Sequence, residues 1–240
     1  MPETVKSIGN YRWRIAFLLL LATTINYIDR QVLGLLKPVL EDQFGWSQVD
    51  FARMVTSFSL AYAIGLLVAG RVIDRLGTRI GFSLMVVFWS IAGMAHALAR
   101  NVQTFMMARF ALGLGEAGNF PASAKAVAEW FPSRERGIAT GIFNAGPSIG
   151  VVVSVLVVPL ILTSFGWQSV FWVTGAAGFG WLILWWWFYH TPDREHRLSE
   201  EEREHILGHR HADVDLQKPA TPWLQLFSKP QTWALIAGKG

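Results

Sequence analysis

The chain has 240 residues and a formal net charge of +4, with 52% hydrophobic and 16% charged residues, below the ~25% charge of an ordinary soluble domain. No ionisable side chain occurs between residues 137 and 189. This run is long enough for two bilayer crossings of ~20 residues each, which excludes a purely soluble globular protein. The absence of cysteine excludes a disulfide framework, a cysteine zinc site and a thiol nucleophile.

Six apolar runs follow one another along the chain and predict an all-α membrane protein with a six-helix transmembrane bundle. The first run follows Lys6, Arg12 and Arg14, and no small-residue cleavage site comes after it, so we interpret it as an uncleaved span and not a signal peptide. The predicted spans are residues 13–36, 51–73, 80–98, 102–128, 138–163 and 167–189.

The charges between the spans predict the orientation. Arginines lie in the connections after spans two and four, whereas Glu41, Asp42 and Asp50 follow span one. By the positive-inside rule, the N-terminus and the loop after span six are cytoplasmic and the protein lies in the cell membrane. The basic residues therefore orient the chain in a lipid bilayer, and no nucleic-acid partner is expected.

The composition changes abruptly after span six and predicts three regions. Residues 1–190 form the bundle, and residues 191–230 form a charged cytoplasmic linker with a helix-start pattern at Ser199 to Glu202. Residues 231–240 are the truncated start of a seventh helix, too short to span. We expect a separate C-terminal six-helix half to complete the molecule.

Ionisable residues lie well inside the apolar zone of two predicted spans: Asp29 and Arg30 in the first, Arg109 and Glu116 in the fourth. Each such residue costs roughly 2.5 to 3.5 kcal/mol at a helix centre, so a functional site facing a cavity is the default interpretation. A buried structural ion pair is the alternative. Helical spacing aligns further polar residues with them: Asn26 with Arg30, Asn119 with Glu116, and Ser59 with Tyr62 on span two. Together these predict a pocket for an anion, with carboxylates that can titrate.

Three other patterns have simpler explanations. Residues 113–118 match GxGxxG but lie inside a span, where close helix packing explains the glycines better than a dinucleotide site. Gly146 to Gly150 predict a kink and a small-residue contact surface. His209 and His211 are expected in a solvated loop, so neither a metal nor a cofactor is predicted.

The segment GRVIDRLGTR at residues 70–79 closely resembles the loop signature of the major facilitator superfamily. Within that family, NYIDR at 26–30, RFALGLGEAGNFPA at 109–122 and EWFP at 129–132 resemble the anion:cation symporters, especially hexuronate and sugar-acid transporters. The resemblance implies the N-terminal half of a twelve-helix fold that imports an organic anion by proton symport and alternating access.

The resemblance also implies roles for single residues. Arg30 would bind the substrate carboxylate, Asp29 and Glu116 would carry the proton, and Arg109 would pair with the acid of its helix. The substrate-binding candidates are Arg30, Tyr62, Asn26, Asn119, Asn144 and Ser148. The candidates for conformational exchange are Gly70, Asp74, Arg75, Gly77 and Arg79.

Other functions stay open at this point. Helix five has Pro147 and Ser148 where the symporters have a polar pair, and Gly146-Pro147 is similar to a motif of proton-coupled antiporters in the same superfamily. An antiporter or exporter of another anion and a non-transporting membrane assembly protein are the alternatives. An intramembrane enzyme is not expected, because no HExxH or GxSxG motif is present.

Overall fold

A computed structural model describes residues 9–214, except the side chains of 209–214, together with Ser228 and Pro230. The predicted start of a seventh helix and the side chains of His209 and His211 therefore lie outside the described residues. Eight α-helices occupy the described part: α1 Tyr11–Phe44, α2 Gln48–Ala95, α3 Val102–Glu116, α4 Asn119–Trp130, α5 Arg136–Asn144, α6 Gly146–Phe165, α7 Trp167–Phe188 and α8 Glu200–Val214.

The long helix α2 contains two membrane crossings. Its 48 residues would extend roughly 72 Å if straight, against a hydrocarbon core of about 30 Å. The chain instead breaks at Gly77, which has φ 77° and ψ 159°, a backbone conformation that is essentially restricted to glycine. This break lies in the predicted connection between spans two and three. The connection is therefore confirmed, although no residues outside the helix separate the two spans.

Within the described part of the chain, four helical segments are long and apolar enough to cross a membrane: Tyr11–Phe44, Gln48–Leu98, Arg136–Phe165 and Trp167–Phe188. The second segment contains two crossings, and α3 followed by α4 forms one more span of the bundle. The predicted order of six spans is thereby confirmed. The predicted fourth and fifth spans are each divided into two helices, at Ala117–Gly118 and at Ala145. The backbone keeps right-handed helical angles at these residues, and Pro121 and Pro147 just beyond them have no N–H to donate, so each division is a kink in a continuing helix.

Local signals explain where several helices begin and end. The side chain of Ser47 accepts from the backbone N–H of Asp50 and forms a reciprocal capping box at the start of α2. Ser199 caps α8 in the same manner as predicted, because its hydroxyl accepts from the backbone N–H of Glu202 at 3.2 Å. Helix α1 continues to Phe44, eight residues beyond its predicted end, before Gly45 terminates it in the left-handed conformation.

Helix α8 does not lie apart from the bundle. The Glu202 carboxylate accepts hydrogen bonds from the backbone N–H groups of Tyr11 and Arg12, at 3.1 and 3.0 Å. The Arg12 guanidinium bridges Glu202 and Glu135, and His205 reaches Glu135 at 3.0 Å. We call these four side chains, Arg12, Glu135, Glu202 and His205, the α8 network, and the end of the bundle that carries them the α8 end.

Candidate functional site

The pocket at the centre of the bundle is built around Arg30, roughly 29 Å along α1 from its first residue. Its Nε and Nη2 atoms both donate to Oε2 of Glu116, at 3.0 and 2.8 Å. Glu116 is fully buried, whereas 23% of the Arg30 side chain is exposed. One edge of the guanidinium is thus held by a buried carboxylate, and part of the side chain stays exposed.

Three aromatic rings surround the Arg30 guanidinium. Its central carbon lies 4.6 Å from the ring centroid of Tyr27, 4.9 Å from that of Phe58 and 4.8 Å from that of Tyr62. These are cation–π distances, and the rings restrict the guanidinium to one orientation. We call Arg30, Glu116 and these three aromatic residues the Arg30 pocket.

Close helix contacts position the rings. A Cβ atom on Gly113 would lie 2.5 Å from the carbonyl oxygen of Phe58, and one on Gly150 would lie 2.8 Å from Cβ of Tyr27. Helix α3 therefore lies directly on the backbone that carries Phe58, and α6 lies directly on α1 at Tyr27. This agrees with the packing role predicted for both glycine-rich segments.

The carboxylate of the pocket sits at a helix kink. Glu116 is the last residue of α3, and α4 begins at Asn119. The intervening backbone tightens, with the N–H of Gly118 donating to the carbonyl of Gly115. Ala117 and Gly118 keep right-handed helical angles, so the helix is kinked and not unwound next to Glu116.

Arg109 does not pair with Glu116, so that part of the expected arrangement is wrong. The two residues are on one face of α3 but two turns apart, roughly 10 Å along the axis. The guanidinium of Arg109 instead lies 3.5 Å from the carbonyl oxygen of Arg30 and 5.8 Å from the ring centroid of Phe58. Arg30, from another helix, takes the carboxylate.

Asp29 points away from Arg30 and into the packed bundle. Only 3% of the residue is exposed, and a Cβ atom on Gly93 would lie 3.9 Å from its Oδ1. Adjacent residues on a helix face directions about 100° apart, which explains why Asp29 and Arg30 do not share one surface. Asp29 thus lies between helices and not on the wall of the Arg30 pocket.

Several buried polar atoms around the pocket have no hydrogen-bond partner among the described residues. They are both side-chain oxygens of Asp29, both polar atoms of the Asn26 side chain, Nε of Arg109, Oε1 of Glu116, Oδ1 of Asn119 and Oγ of Ser123. Buried polar groups are nearly always paired in folded proteins. Their concentration here is a property expected of a site that water, protons or a ligand reach.

The remaining substrate-binding candidates fall into two groups. Asn119 is buried and donates to the hydroxyl of Thr23 on α1 at 3.2 Å, and Asn26 is buried nearby in α1. Asn144 and Ser148 are exposed, at the junction of α5 and α6. Their helices pack against α1, where Gly146 lies on Thr23 and Gly150 on Tyr27, so Asn144 and Ser148 stay candidates for the wall of the site.

The loop-signature residues lie at the α8 end, far from Arg30. Asp74 is exposed and forms an ion pair with Lys125 of α4 at 2.8 Å. Arg79 donates to the carbonyl oxygen of Trp186 at 2.7 Å and stacks on its ring. Gly70 is partly buried, Arg75 is exposed, and Gly77 makes the turn.

The sequence interpretation missed Tyr27, Phe58 and Lys125. Tyr27 lies three residues before Arg30, and Phe58 lies four before Tyr62, so helical spacing alone could have placed each ring beside its neighbour. Lys125 gave no such signal, because its partner Asp74 lies 51 residues away. Among the described residues, no group of three or more His, Cys, Asp or Glu side chains could hold a metal ion.

Comparison with known proteins supports this arrangement. Residues 19–238 match the family model of the Major Facilitator Superfamily. The chain is 34% identical over 230 residues to the galacturonate transporter of Dickeya chrysanthemi, covering 95% of this chain and 66% of that protein. It is 35% identical over 208 residues to the hexuronate transporter of Escherichia coli K12, covering 87% of this chain and 48% of that one.

A solved structure shows the same fold. A bacterial homolog of the human lysosomal transporter Spinster, inward-facing and unoccupied, superposes with a TM-score of 0.69 at 23% identity, over 79% of this chain and 45% of that one. The chain thus spans about half to two thirds of the length of the proteins it matches, and these are transporters, not enzymes. With six spans, a kinked fourth span and a family match over most of its length, the chain is a multi-pass membrane protein that belongs to the major facilitator superfamily.

Proposed function

We propose that this chain supplies the N-terminal bundle of a transporter that imports a sugar acid, such as a hexuronate, together with a proton. The Arg30 pocket is the observation that carries the proposal. It presents a partly exposed guanidinium, held by one carboxylate, near the middle of the bundle. The names of the relatives, galacturonate and hexuronate transporters, support an organic anion with a carboxylate as the substrate.

The geometry of Arg30 suggests how the anion binds. Glu116 occupies only the edge formed by Nε and Nη2, so it does not hold Nη1, and the Arg30 side chain also hydrogen-bonds the side chain of Tyr62. A substrate carboxylate can therefore approach through Nη1 first. It can then also accept a hydrogen bond from Nη2 and so form a forked pair with the guanidinium. This requires the hydrogen bond from Nη2 to Glu116 to weaken.

Competition for Arg30 supplies the coupling in this proposal. Two carboxylates and one guanidinium carry one excess negative charge, which is costly in a site shielded from water. Protonation of Glu116 removes that excess and frees the guanidinium edge for the substrate. Binding of the anion and binding of the proton thereby favour each other.

Asp29 is the second proton carrier in this proposal. It is buried against Gly93, beside the side chain of Thr174 of α7. Arg109 interacts electrostatically with both acids and lies close to the backbone of Arg30. Movement of α1 against α3 would change the distance of Arg109 from both acids, which links the proton to the change of conformation.

The loop at the α8 end serves conformational exchange and not binding. Asp74 and Lys125 join the turn of α2 to α4, and both belong to the surface of this end. In the proposed orientation this end and the N-terminus are cytoplasmic, since the arginines of the turn gather there. We expect Asp74→Asn to slow transport while the substrate affinity, measured by calorimetry, stays within about twofold.

Uptake by the full-length protein tests the proposal. Proteoliposomes with an imposed inward proton gradient should accumulate radiolabelled galacturonate, and dissipation of the gradient with an ionophore should end the accumulation. Arg30→Lys should lower the apparent affinity roughly 30-fold or more, because loss of one partner of a buried charge pair costs about 2–5 kcal/mol. Lysine cannot reproduce the forked geometry.

Arg53→Lys is the matched control, because Arg53 is also a helical arginine but 63% of its side chain is exposed. It should transport at the rate of the unmodified protein. Near-normal galacturonate affinity in Arg30→Lys would contradict the assignment of Arg30. Absence of uptake for any uronate or aldonate, with the protein folded, would contradict the proposed substrate class.

A further inference from the structure

A groove on the outer surface, between α1 and α7, is not part of the Arg30 pocket. It encloses about 480 Å³ and begins at the α8 end. Its walls are mainly apolar side chains of α1 and α7, chiefly Trp13, Phe17, Leu21, Leu184 and Phe188. Phe17 is 55% and Leu184 38% exposed, so the groove is open to the surroundings of the bundle.

The polar residues of the groove are confined to one end. Asn10 and Arg14 lie one helical turn apart on α1 and line the groove where it begins. The Asn10 side chain makes no capping hydrogen bond, because Glu202 already takes the first N–H groups of α1. Arg14 lies 5.4 Å over the ring of Tyr11, a contact that leaves its N–H edges available.

The dimensions of the groove match one leaflet of a membrane. From Asn10 to Leu21, α1 rises roughly 16 Å, and half of the hydrocarbon core is about 15 Å. Its polar end lies at the end of the bundle and its apolar end reaches toward the middle. A molecule that fills it must have an anionic head and an apolar tail of about that length.

The groove faces away from the Arg30 pocket. Leu21 lies nine residues before Arg30, and Arg14 lies sixteen residues before Arg30. At about 100° per residue, both side chains are roughly 160–180° from Arg30 around α1. A single helix thus presents one arginine to the central pocket and another to the opposite side, where a bundle of this hydropathy contacts lipid.

We propose that this groove is a binding site for one anionic phospholipid of the leaflet at the α8 end. The phosphate accepts from the Asn10 amide and the Arg14 guanidinium, and one acyl chain lies along Trp13, Phe17, Leu21 and Leu184. The site is separate from transport, and its test needs no transport measurement.

A second groove provides an internal comparison. Between the two halves of α2 and α3 lies a cavity of about 520 Å³ lined by Ile64, Val68, Leu84, Phe88 and Ile91 among others. All of its lining residues are apolar or glycine. It has the size of the first groove without the charge, so it should hold no phospholipid selectively.

Native mass spectrometry of the purified chain tests the proposal. The protein in detergent is titrated with dioleoyl phosphatidylglycerol or with dioleoyl phosphatidylcholine, which share acyl chains and differ in charge. We expect one phosphatidylglycerol to be retained at least tenfold more strongly than phosphatidylcholine. Arg14→Gln should abolish this preference, and Leu184→Trp, which fills the groove from an exposed position, should abolish retention.

Two variants serve as controls. Arg134→Gln removes an exposed arginine from the same end, and Leu84→Trp fills the uncharged groove; both should retain the lipid as the unmodified chain does. Equal retention of the two lipids, or an unchanged preference in Arg14→Gln, would overturn the proposal. Increased lipid retention after deletion of residues 2–8 would also overturn the proposal, because it would identify that segment as the occupant of the groove. Dimers of the chain without bound lipid would overturn it as well.

Discussion

Arg12 and Arg30 lie on the same helix and both bind glutamate, yet their surroundings differ. Every nitrogen of the Arg12 guanidinium donates: Nε and Nη2 to Glu135, and Nη1 to Glu202 and the carbonyl of Gly9. Arg30 donates through two nitrogens to a single oxygen of Glu116. The first site is closed, and the second has unused donors and acceptors.

The difference separates a structural ion pair from a site that must change. A buried charge network in which every group is paired resists rearrangement, since opening it leaves unpaired charges. Around Arg30 the unpaired atoms already exist, on Glu116, Asn26 and Asn119. A ligand or proton that enters there gains interactions without breaking a complete network.

The largest effect is expected from Glu116→Gln, which keeps the volume of the side chain and removes its charge. The variant mimics the protonated form, so it should still bind the anion and exchange it across the membrane. It should lose at least tenfold in gradient-driven accumulation. Counterflow exchange and gradient-driven uptake are measured on one preparation of the full-length protein, with its thermal unfolding.

The same measurements distinguish a structural role. If Glu116 only neutralised Arg30, its replacement would leave a largely buried unpaired charge and destabilise the protein by about 3–5 kcal/mol. A stable variant that accumulates substrate at the unmodified rate would show that Glu116 does not couple the proton. A strongly destabilised variant would show that the ion pair of Arg30 and Glu116 has a structural role, as the α8 network has.

Gly150→Ala tests whether helix packing sets the pocket. The added Cβ would lie 2.7 Å from the carbonyl oxygen of Thr24 and 2.8 Å from Cβ of Tyr27, so we expect a destabilisation of about 1–3 kcal/mol and weaker anion binding as Tyr27 shifts. Gly141→Ala is the control, because nothing lies within 4 Å of its Cβ position. Equal effects of the two substitutions in chemical denaturation and binding would contradict this account.

Glu202→Gln addresses the closed site. Loss of the charge weakens the hydrogen bonds to the start of α1, so the free energy of unfolding should fall by about 1–3 kcal/mol, while substrate affinity stays unchanged. Glu200→Gln, in the same turn but exposed, should change stability by less than about 0.5 kcal/mol. A change of affinity in Glu202→Gln would mean that the two arginine sites are coupled.

The smallest effect concerns pH at the α8 end. Burial alone would raise the pKa of Glu195, but the hydrogen bonds from Arg197 outweigh burial and lower this pKa from 4.5 to about 2. A lowered pKa in the folded state stabilises the fold above pH 4.5, and this contribution is lost as the pH falls toward 2. The difference in unfolding free energy between the unmodified chain and Glu195→Gln should shrink from pH 6 to pH 3; a constant difference would refute it.

Apolar runs sufficed to predict the six spans because burial in lipid demands them. They did not predict the division at Ala117–Gly118, since hydropathy continues across it, whereas the kink predicted at Gly146 to Gly150 coincides with the start of α6. The contact of the predicted linker with the bundle was not predictable either: Glu202 is buried against Arg12, 190 residues earlier in the chain. The hydrophobic periodicity of a segment carries no information about a contact between residues that are 190 positions apart.

The site was predictable to a similar degree. The cost of ionisable groups in a membrane identified Asp29, Arg30, Arg109 and Glu116 without reference to any structure. The pairing among them was not predictable, because it depends on how α1 and α3 are rotated against each other. That rotation follows from contacts such as Gly113 on Phe58, which only the packed bundle defines.

The cap that Glu202 places on α1 also constrains the order of events during synthesis. A chain emerges from the ribosome N-terminus first, and segments fold as they become available. Until Glu202 is made, only water can take the leading N–H groups of the first helix, and Glu202 is translated only after α7. The start of the bundle is thus completed last, when all its membrane helices have been made.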